Sequence, residues 1–266
     1  MNSLRRLGVF DSGLGGLTVL NEICKNNQGL DVVYFGDTAR VPYGSRTPKT
    51  ITRYARQDMR FLLSEGVDAV VIACGTVSAN CLPALKEEFS LPIVGVIDAG
   101  CEAALAVSDS KRIGIIGTRA TVRSGAYEQR LHQLCPEAFT KGVECPLFVP
   151  LIENGFDAQD PITRMTVERY LSAFNAAKVD TIIMGCTHYP FLTEAFQKVL
   201  PQVQFINMGK ALSHQLREQF CLPDSTAPSK VSYFVSDPDT GFLSIANRYL
   251  DAIEANSVQT VNIDRF

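Results

Sequence analysis

Tryptophan is absent from this chain, histidine occurs only three times, and no two cysteines form a C-x-x-C pair. Cys74 and Cys81 stand seven apart with no second pair at ligand spacing, so the ligand set of a structural zinc site is missing and no metal is expected. No segment approaches the roughly 18–20 apolar residues that span a bilayer. The opening Met1-Asn2-Ser3-Leu4-Arg5-Arg6 leads straight into a strand-like run, without the apolar core of a secretory signal. A cytoplasmic location with no membrane partner is the expectation. Lysine and arginine total 25 against 28 aspartate and glutamate, a net charge of −3. The charges are interspersed, which leaves no basic face for nucleic acid and no charged interaction tail. Eight cysteines in 266 residues, in a chain neither short nor marked for secretion, read as free thiols rather than a disulfide framework. Cys24, Cys101, Cys135 and Cys221 read as small buried or half-buried residues.

What is present is a regular alternation of strand-like and helix-like segments, in a composition that is 46% hydrophobic. Short runs rich in Val, Ile and Phe predict strands at 7–10, 32–35, 69–73, 93–97, 113–116, 147–149, 181–184, 203–206 and 231–235. Mostly apolar strands of this kind fit a sheet covered by helices on both faces. Thr47-Pro48 predicts a helix start, with Ile51, Ala55, Met59 and Leu62 at helical spacing and Gly66 beyond its end. Asp160-Pro161 predicts another, with Val167, Leu171 and Phe174 as its apolar stripe. The fold class is therefore α/β with largely parallel sheets.

Two internal matches point to duplication. Asp68-Ala69-Val70-Val71-Ile72-Ala73-Cys74 parallels Asp180-Thr181-Ile182-Ile183-Met184-Gly185-Cys186, and the cysteines lie 186 − 74 = 112 positions apart. Each cysteine is closely followed by a threonine, Thr76 or Thr187. Arg6-Leu7-Gly8-Val9-Phe10-Asp11-Ser12 parallels Arg112-Ile113-Gly114-Ile115-Ile116-Gly117-Thr118 at an offset of 112 − 6 = 106. Two blocks of this length predict two similar α/β domains rather than a solenoid. One comprises 1–98 together with 209–266, where the last strand and helix return. The other comprises 99–208, and the active site lies in the cleft between them.

Ligands in open α/β sheets bind beyond the carboxyl ends of the strands. The polar residues there are Asp11-Ser12, Asp37, Pro42-Tyr43-Gly44, Cys74-Gly75-Thr76, Asp98, Thr118 with Thr121, Glu153, and Cys186-Thr187-His188. Each has a bland explanation by itself. A strand-end cysteine is more often packing than chemistry, Asp11 fits a helix cap, His188 fits a bonded interior residue, and Glu153 fits a loop carboxylate. Gly13-Leu14-Gly15-Gly16 lacks the G-K-[ST] ending of a phosphate loop. The duplicated cysteines are harder to obtain by packing. Two thiols facing across one substrate can remove a proton from one side of a carbon and return one to the other. That inverts a stereocentre.

The joint pattern Asp11-Ser12-Gly13-Leu14-Gly15-Gly16-Leu17, Val41-Pro42-Tyr43-Gly44, Ala73-Cys74-Gly75-Thr76 and Gly185-Cys186-Thr187-His188-Tyr189-Pro190 resembles the signatures of bacterial glutamate racemases, within the cofactor-independent aspartate/glutamate racemase superfamily. The resemblance runs in order from about Leu7 to about Leu250. It implies two similar α/β domains, interconversion of L- and D-glutamate with no cofactor, and a D-glutamate supply for peptidoglycan. It also implies that Cys74 and Cys186 are the acid/base thiols, with Cys74 serving the D-isomer and Cys186 the L-isomer. Asp11, His188 and Glu153 are implied to assist proton movement. Ser12, Pro42, Tyr43, Gly44, Gly75, Thr76, Thr187, Asp11 and His188 are implied to hold the substrate, with Thr118 and Thr121 nearby. The family commonly dimerises, so a homodimer is expected.

Such chemistry needs a base already in place and donors aimed at the carboxylate, because the α-proton is a poor acid. A free thiol, with a pKa of about 8.5, is only slightly ionised at neutral pH. Amides at a helix start after each cysteine are expected to favour both thiolate and carboxylate. One departure stands out, since the family usually has asparagine where this chain has Gly75. The lost amide side chain is expected to leave room for a water or a neighbouring group. Near alternatives are a racemase of another amino acid or related small substrate with specificity altered at Gly75, and a one-cysteine decarboxylase. A non-catalytic binding module and a covalent cysteine hydrolase come from other classes, and neither explains the second thiol.

Overall fold

In the computed structural model, which describes residues 4–223, 225–237 and 257–266, the strands form two sheets. They are β1 (Arg6–Asp11), β2 (Asp31–Gly36), β3 (Ala69–Ile72), β4 (Ile93–Gly95), β5 (Arg112–Gly117), β6 (Phe139–Glu144), β7 (Thr181–Met184), β8 (Gln204–Asn207), β9 (Lys230–Val235) and β10 (Val258–Thr260). The first sheet has the order β10-β9-β2-β1-β3-β4 and the second β6-β5-β7-β8. Every pairing is parallel. The internal matches of the sequence are matches of topology. β1 lies between β2 and β3 as β5 lies between β6 and β7, and Leu7 pairs with Ala69 as Ile113 pairs with Thr181. β9 joins β2 at the far side of the first sheet. The remainder of the predicted C-terminal return, at 238–256, and the opening residues 1–3 lie outside the described residues.

The helices are α1 (Gly16–Asn26), α2 (Pro48–Ser64), α3 (Gly75–Glu88), α4 (Ile97–Val107), α5 (Arg119–Arg123), α6 (Ala126–Leu134), α7 (Phe148–Glu153), α8 (Pro161–Leu171), α9 (Thr193–Val199) and α10 (Met208–Gln219). Local chemistry starts several of them. Thr47 caps α2 by accepting from the Thr50 amide at 3.3 Å, and Asp160 caps α8 by accepting from Ile162 at 2.8 Å. Gly66 follows α2 at φ +72°, a left-handed turn that glycine adopts without a side-chain clash. Val167, Leu171 and Phe174 are all buried.

Both sheets contribute to one central core. Val9 and Val71 of the first sheet share it with Ile113, Ile115 and Ile183 of the second, and Leu17, Ile97, Tyr127 and Met208 of the intervening helices fill it. Each sheet has a further core on its outer face. The fully buried β3 is apolar throughout, and β7 is apolar after Thr181, because helices cover both their faces.

Four local expectations need correction. Residues 147–149 are not a strand, since Phe148 and Val149 open α7 and Pro150 sits in its first turn, where no amide partner is lost. One edge strand of the second sheet is β6, whose half-exposed Phe-Thr-Lys-Gly-Val-Glu carries no apolar run. β4 ends at Gly95, and Ile97 already belongs to α4. Cys221 is exposed, because it lies in the loop after α10, where its carbonyl accepts from the Leu4 amide at 2.8 Å.

The shared core sets an expected stability order. Ile183→Ala should cost about 2–5 kcal/mol in denaturant unfolding. Ile162→Ala, on the exposed side of α8, should stay within about 0.5 kcal/mol.

Candidate active site

Strand β1 ends at Asp11, β3 leads through Ala73 to Cys74, and β7 leads through Gly185 to Cys186. These ends converge where the two halves of the molecule meet. Cys74 and Cys186 line a single cavity with Ser12, Pro42, Tyr43, Gly44, Gly75, Thr76, Thr118, Thr187 and His188. Val41 and Val149 complete its wall. The cavity measures about 10 Å³, room for about one water. An amino acid the size of glutamate enters only if the halves part.

Three of the predicted site residues stand one layer behind. Asp11 is fully buried, accepts from the Gly13 amide at 3.1 Å and takes the Thr187 hydroxyl at 3.3 Å. Burial raises its carboxyl above the ordinary range, against the His188 charge and the amides of Gly13 and Gly16. Glu153, at the end of α7, bonds His188 Nε2 at 2.6 Å. Thr121 meets Thr76 at 3.2 Å and Thr118 at 2.9 Å, and Thr76 meets Thr118 at 3.0 Å. Asp98 is not brought to the site, because it is drawn out to Arg130 at 2.7 Å on the surface.

The two thiols have different surroundings. Cys74 Sγ faces Ser12 Oγ at 3.6 Å, and burial followed by the Asp11 charge pushes its thiol far above the ordinary value. Cys186 Sγ lies 3.9 Å from His188 Nδ1. Burial opposes a charge on His188, but its bonds to Cys186 and Glu153 outweigh that and raise it well above the ordinary histidine value. One sulfur is thus held as a neutral thiol, while the other has the His188 ring at its side.

The amide arrangement is also unequal. Cys74 immediately precedes α3 and its carbonyl accepts from the Ser78 amide at 2.9 Å, so the first-turn amides of that helix point towards the cavity end. The expected helix directly after Cys186 does not form. Thr187 and His188 make a turn into a short 3₁₀ segment, Tyr189–Leu192, before α9 begins. Pro190 in that segment has no amide to continue a ladder.

The space expected beside Gly75 is already filled. A Cβ on Gly75 would lie 2.3 Å from the Gly185 carbonyl oxygen, so backbone from one half packs directly on backbone from the other. Two further close approaches set glycine backbone against a side chain, since a Cβ on Gly15 would strike His188 and one on Gly44 would strike Thr118. Tyr43 presents its ring to the cavity, but its hydroxyl is turned to Asp37 and Asp58. The lining by Val41 and Val149 was not foreseen, and nothing in their residue type marks them. Asp58 did carry a signal, an aspartate within the apolar stripe of α2.

Known proteins resemble this chain in sequence and in shape. Residues 12–216 match the family model described as Asp/Glu/Hydantoin racemase. A glutamate racemase of Geobacter metallireducens is 41% identical over 251 residues, covering 92% of this chain and 93% of its own. The crystal structure of a glutamate racemase isoform from Bacillus anthracis superposes with a TM-score of 0.92 at 32% identity, covering 98% of each chain. That of the Francisella tularensis glutamate racemase, in complex with D-glutamate, gives 0.90 at 33% identity, covering 98% and 99%. Similarity of this extent, on top of two strand-end cysteines in a duplicated sheet, places the chain in the Asp/Glu/Hydantoin racemase family.

Proposed function

We propose that the protein racemises glutamate by a two-thiol mechanism without a cofactor. The observation that carries this reading is the convergence of Cys74 and Cys186, from equivalent strands of a repeated topology, on one cavity. The substrate assignment is supported by the relatives, whose names specify glutamate. Gly75 gives little support to a different substrate, because no vacated side-chain space remains beside it. In this reading the enzyme acts in the cytoplasm as a homodimer and supplies D-glutamate for peptidoglycan. Its two lobes are 1–98 with 209–266, and 99–208.

The chemistry follows from the asymmetry of the sulfurs. With L-glutamate bound, the Cys186 thiolate takes the α-proton while His188, held by Glu153, balances the charge. The developing negative charge spreads into the substrate carboxylate, which the first-turn amides of α3 and the hydroxyls of Ser12, Thr76 and Thr187 receive. Thr118 and Thr121 support Thr76, and the Pro42-Tyr43-Gly44 segment closes the wall. The Cys74 thiol then delivers its proton to the opposite face. One turnover leaves Cys186 as thiol and Cys74 as thiolate, and proton return through His188 and Asp11 restores the start. The D-isomer uses the same steps in reverse.

Removing either sulfur should therefore lower net racemisation by about 10²–10⁴-fold. Cys74→Ala should still exchange the α-hydrogen of L-glutamate with solvent deuterium through Cys186, without forming D-glutamate. Wild-type racemisation by either single variant would rule out the scheme.

The charge on His188 should be visible in the pH dependence of kcat/KM for L-glutamate. Glu153→Gln removes an anion that favours the imidazolium, while burial continues to oppose it. The alkaline limb should move to lower pH, and an unmoved limb would show that Glu153 does not hold the proton.

Gly75→Ala and Gly75→Asn should both hold the halves apart at the Gly185 carbonyl. A displacement of about 1 Å at reacting groups costs up to about a hundredfold, so kcat/KM should fall by roughly ten- to a hundredfold in each. Unchanged values would mean that this contact does not limit closure.

A further inference from the structure

Behind the cavity wall lies a closed polar cluster built on Asp58. This residue belongs to the buried face of α2, beside Ile51, Ala55, Met59 and Leu62, and it is fully buried, as is Asp37 at the end of β2. A single cation joins the two carboxylates. Arg40 Nε donates to Asp37 Oδ2 at 2.6 Å and Arg40 Nη2 to Asp58 Oδ1 at 3.3 Å. Its remaining nitrogen donates to Gln57 Oε1 at 2.6 Å, and its guanidinium stacks 4.1 Å over the Tyr54 ring. Ser236 Oγ donates to Asp37 Oδ1 at 2.7 Å. Tyr43 Oη bonds Asp37 Oδ2 and also lies 3.0 Å from Asp58 Oδ2.

The hydrogens in this cluster can be counted. A tyrosine hydroxyl has one proton, yet two carboxylate oxygens lie against it. If both carboxylates were ionised, one close oxygen–oxygen contact would have no proton between its atoms. The cluster would also carry one excess negative charge away from water, which is costly. A proton on Asp58 resolves both problems. Asp58 then donates to Tyr43, Tyr43 donates to Asp37, and Arg40 neutralises Asp37. Asp37 is the ionised member because it holds the shorter bonds, to Arg40 and Ser236. Burial and then the Asp37 charge push the Asp58 carboxyl well above the ordinary range, and Asp11 acts in the same sense.

We propose that Asp58, as a neutral acid, is a positioning residue that locks Tyr43 and thereby the Pro42-Tyr43-Gly44 wall of the cavity. The role in substrate binding rests on the glutamate reading above. The protonation state does not.

An asparagine in place of Asp58 can reproduce the arrangement, donating from its amide nitrogen to Tyr43 and accepting from Arg40 at its oxygen, whereas alanine cannot. Asp58→Asn should therefore keep kcat and KM for L-glutamate within about threefold of wild type, while Asp58→Ala should raise KM by about tenfold or more with a smaller change in kcat. The titratable and charged groups around Asp58 are Asp37, Arg40, Tyr43, Asp11 and Cys81. A carboxyl raised in the folded state stabilises fully below its unfolded value of about 3.9, and that stability is lost as pH rises through the folded value. Asparagine has no proton to lose, so the thermal midpoint of Asp58→Asn at about pH 8 should equal or exceed that of wild type. An Asp58→Asn variant as impaired as Asp58→Ala, or one that melts well below wild type, would overturn the neutral acid. An unchanged KM in Asp58→Ala would overturn the positioning role. If the wild type fails to racemise glutamate, the functional reading falls alone, and the melting comparison still decides the state of Asp58.

Discussion

Backbone meets backbone at the centre of this protein, and the geometry of the site depends on that contact. The chain following Cys74 packs on the carbonyl preceding Cys186, with glycine on both sides. No side chain separates the two strand-end turns that carry the thiols. The distance between the halves is therefore set by peptide groups, which have fixed dimensions and few alternative conformations. At Gly15 against His188 and at Gly44 against Thr118, glycine backbone instead packs directly on a side chain of the other half. Every one of these contacts joins a first-half loop to a second-half functional side chain or turn.

Duplication places two cysteines symmetrically, but a racemase needs them in opposite protonation states at any instant. The asymmetry comes from residues that the two repeats do not share. Beside Cys74 a buried aspartate opposes a second negative charge. Beside Cys186 stands a histidine anchored by a glutamate from a separate helix. The helix that begins directly after Cys74 has no counterpart after Cys186. Equivalent strands thus deliver equivalent sulfurs into unlike fields, and the unlike fields give the pair a direction.

The parallel strands were legible because each central one is apolar on both faces. Val70-Val71-Ile72 and Ile182-Ile183-Met184 leave little choice once helices flank them. The edge strand Phe139–Glu144 was not legible, because one face meets solvent and its residues alternate weakly. Phe148 and Val149 misled for the complementary reason, since three adjacent apolar residues satisfy a strand or a buried helical turn equally well. The convergence of Cys74, Cys186, Asp11, Thr187 and His188 on one place was readable from the duplicated ends. Arg40, Asp37 and Asp58 were harder to group, because their meeting depends on how a loop folds back over α2. An aspartate within an apolar stripe was the available sign that something charged lay opposite.

Closure at the glycine contacts also limits how the cavity can open. The halves share a core in which residues of both sheets and of α1, α4, α6 and α10 interdigitate, and close-packed interiors do not slide continuously. Wholesale separation would expose that core. Parting is cheaper beside the cavity, where the contacts between halves include hydroxyl pairs. There Thr76 meets Thr118 and Thr121 across the cleft, so each hydroxyl keeps a hydrogen-bond partner while the site is closed. Breaking those bonds leaves polar groups that need new partners. A carboxylate, an acceptor with two oxygens, is matched to that need. In the proposed reaction the substrate carboxylate competes with the closed cavity for these same hydroxyls.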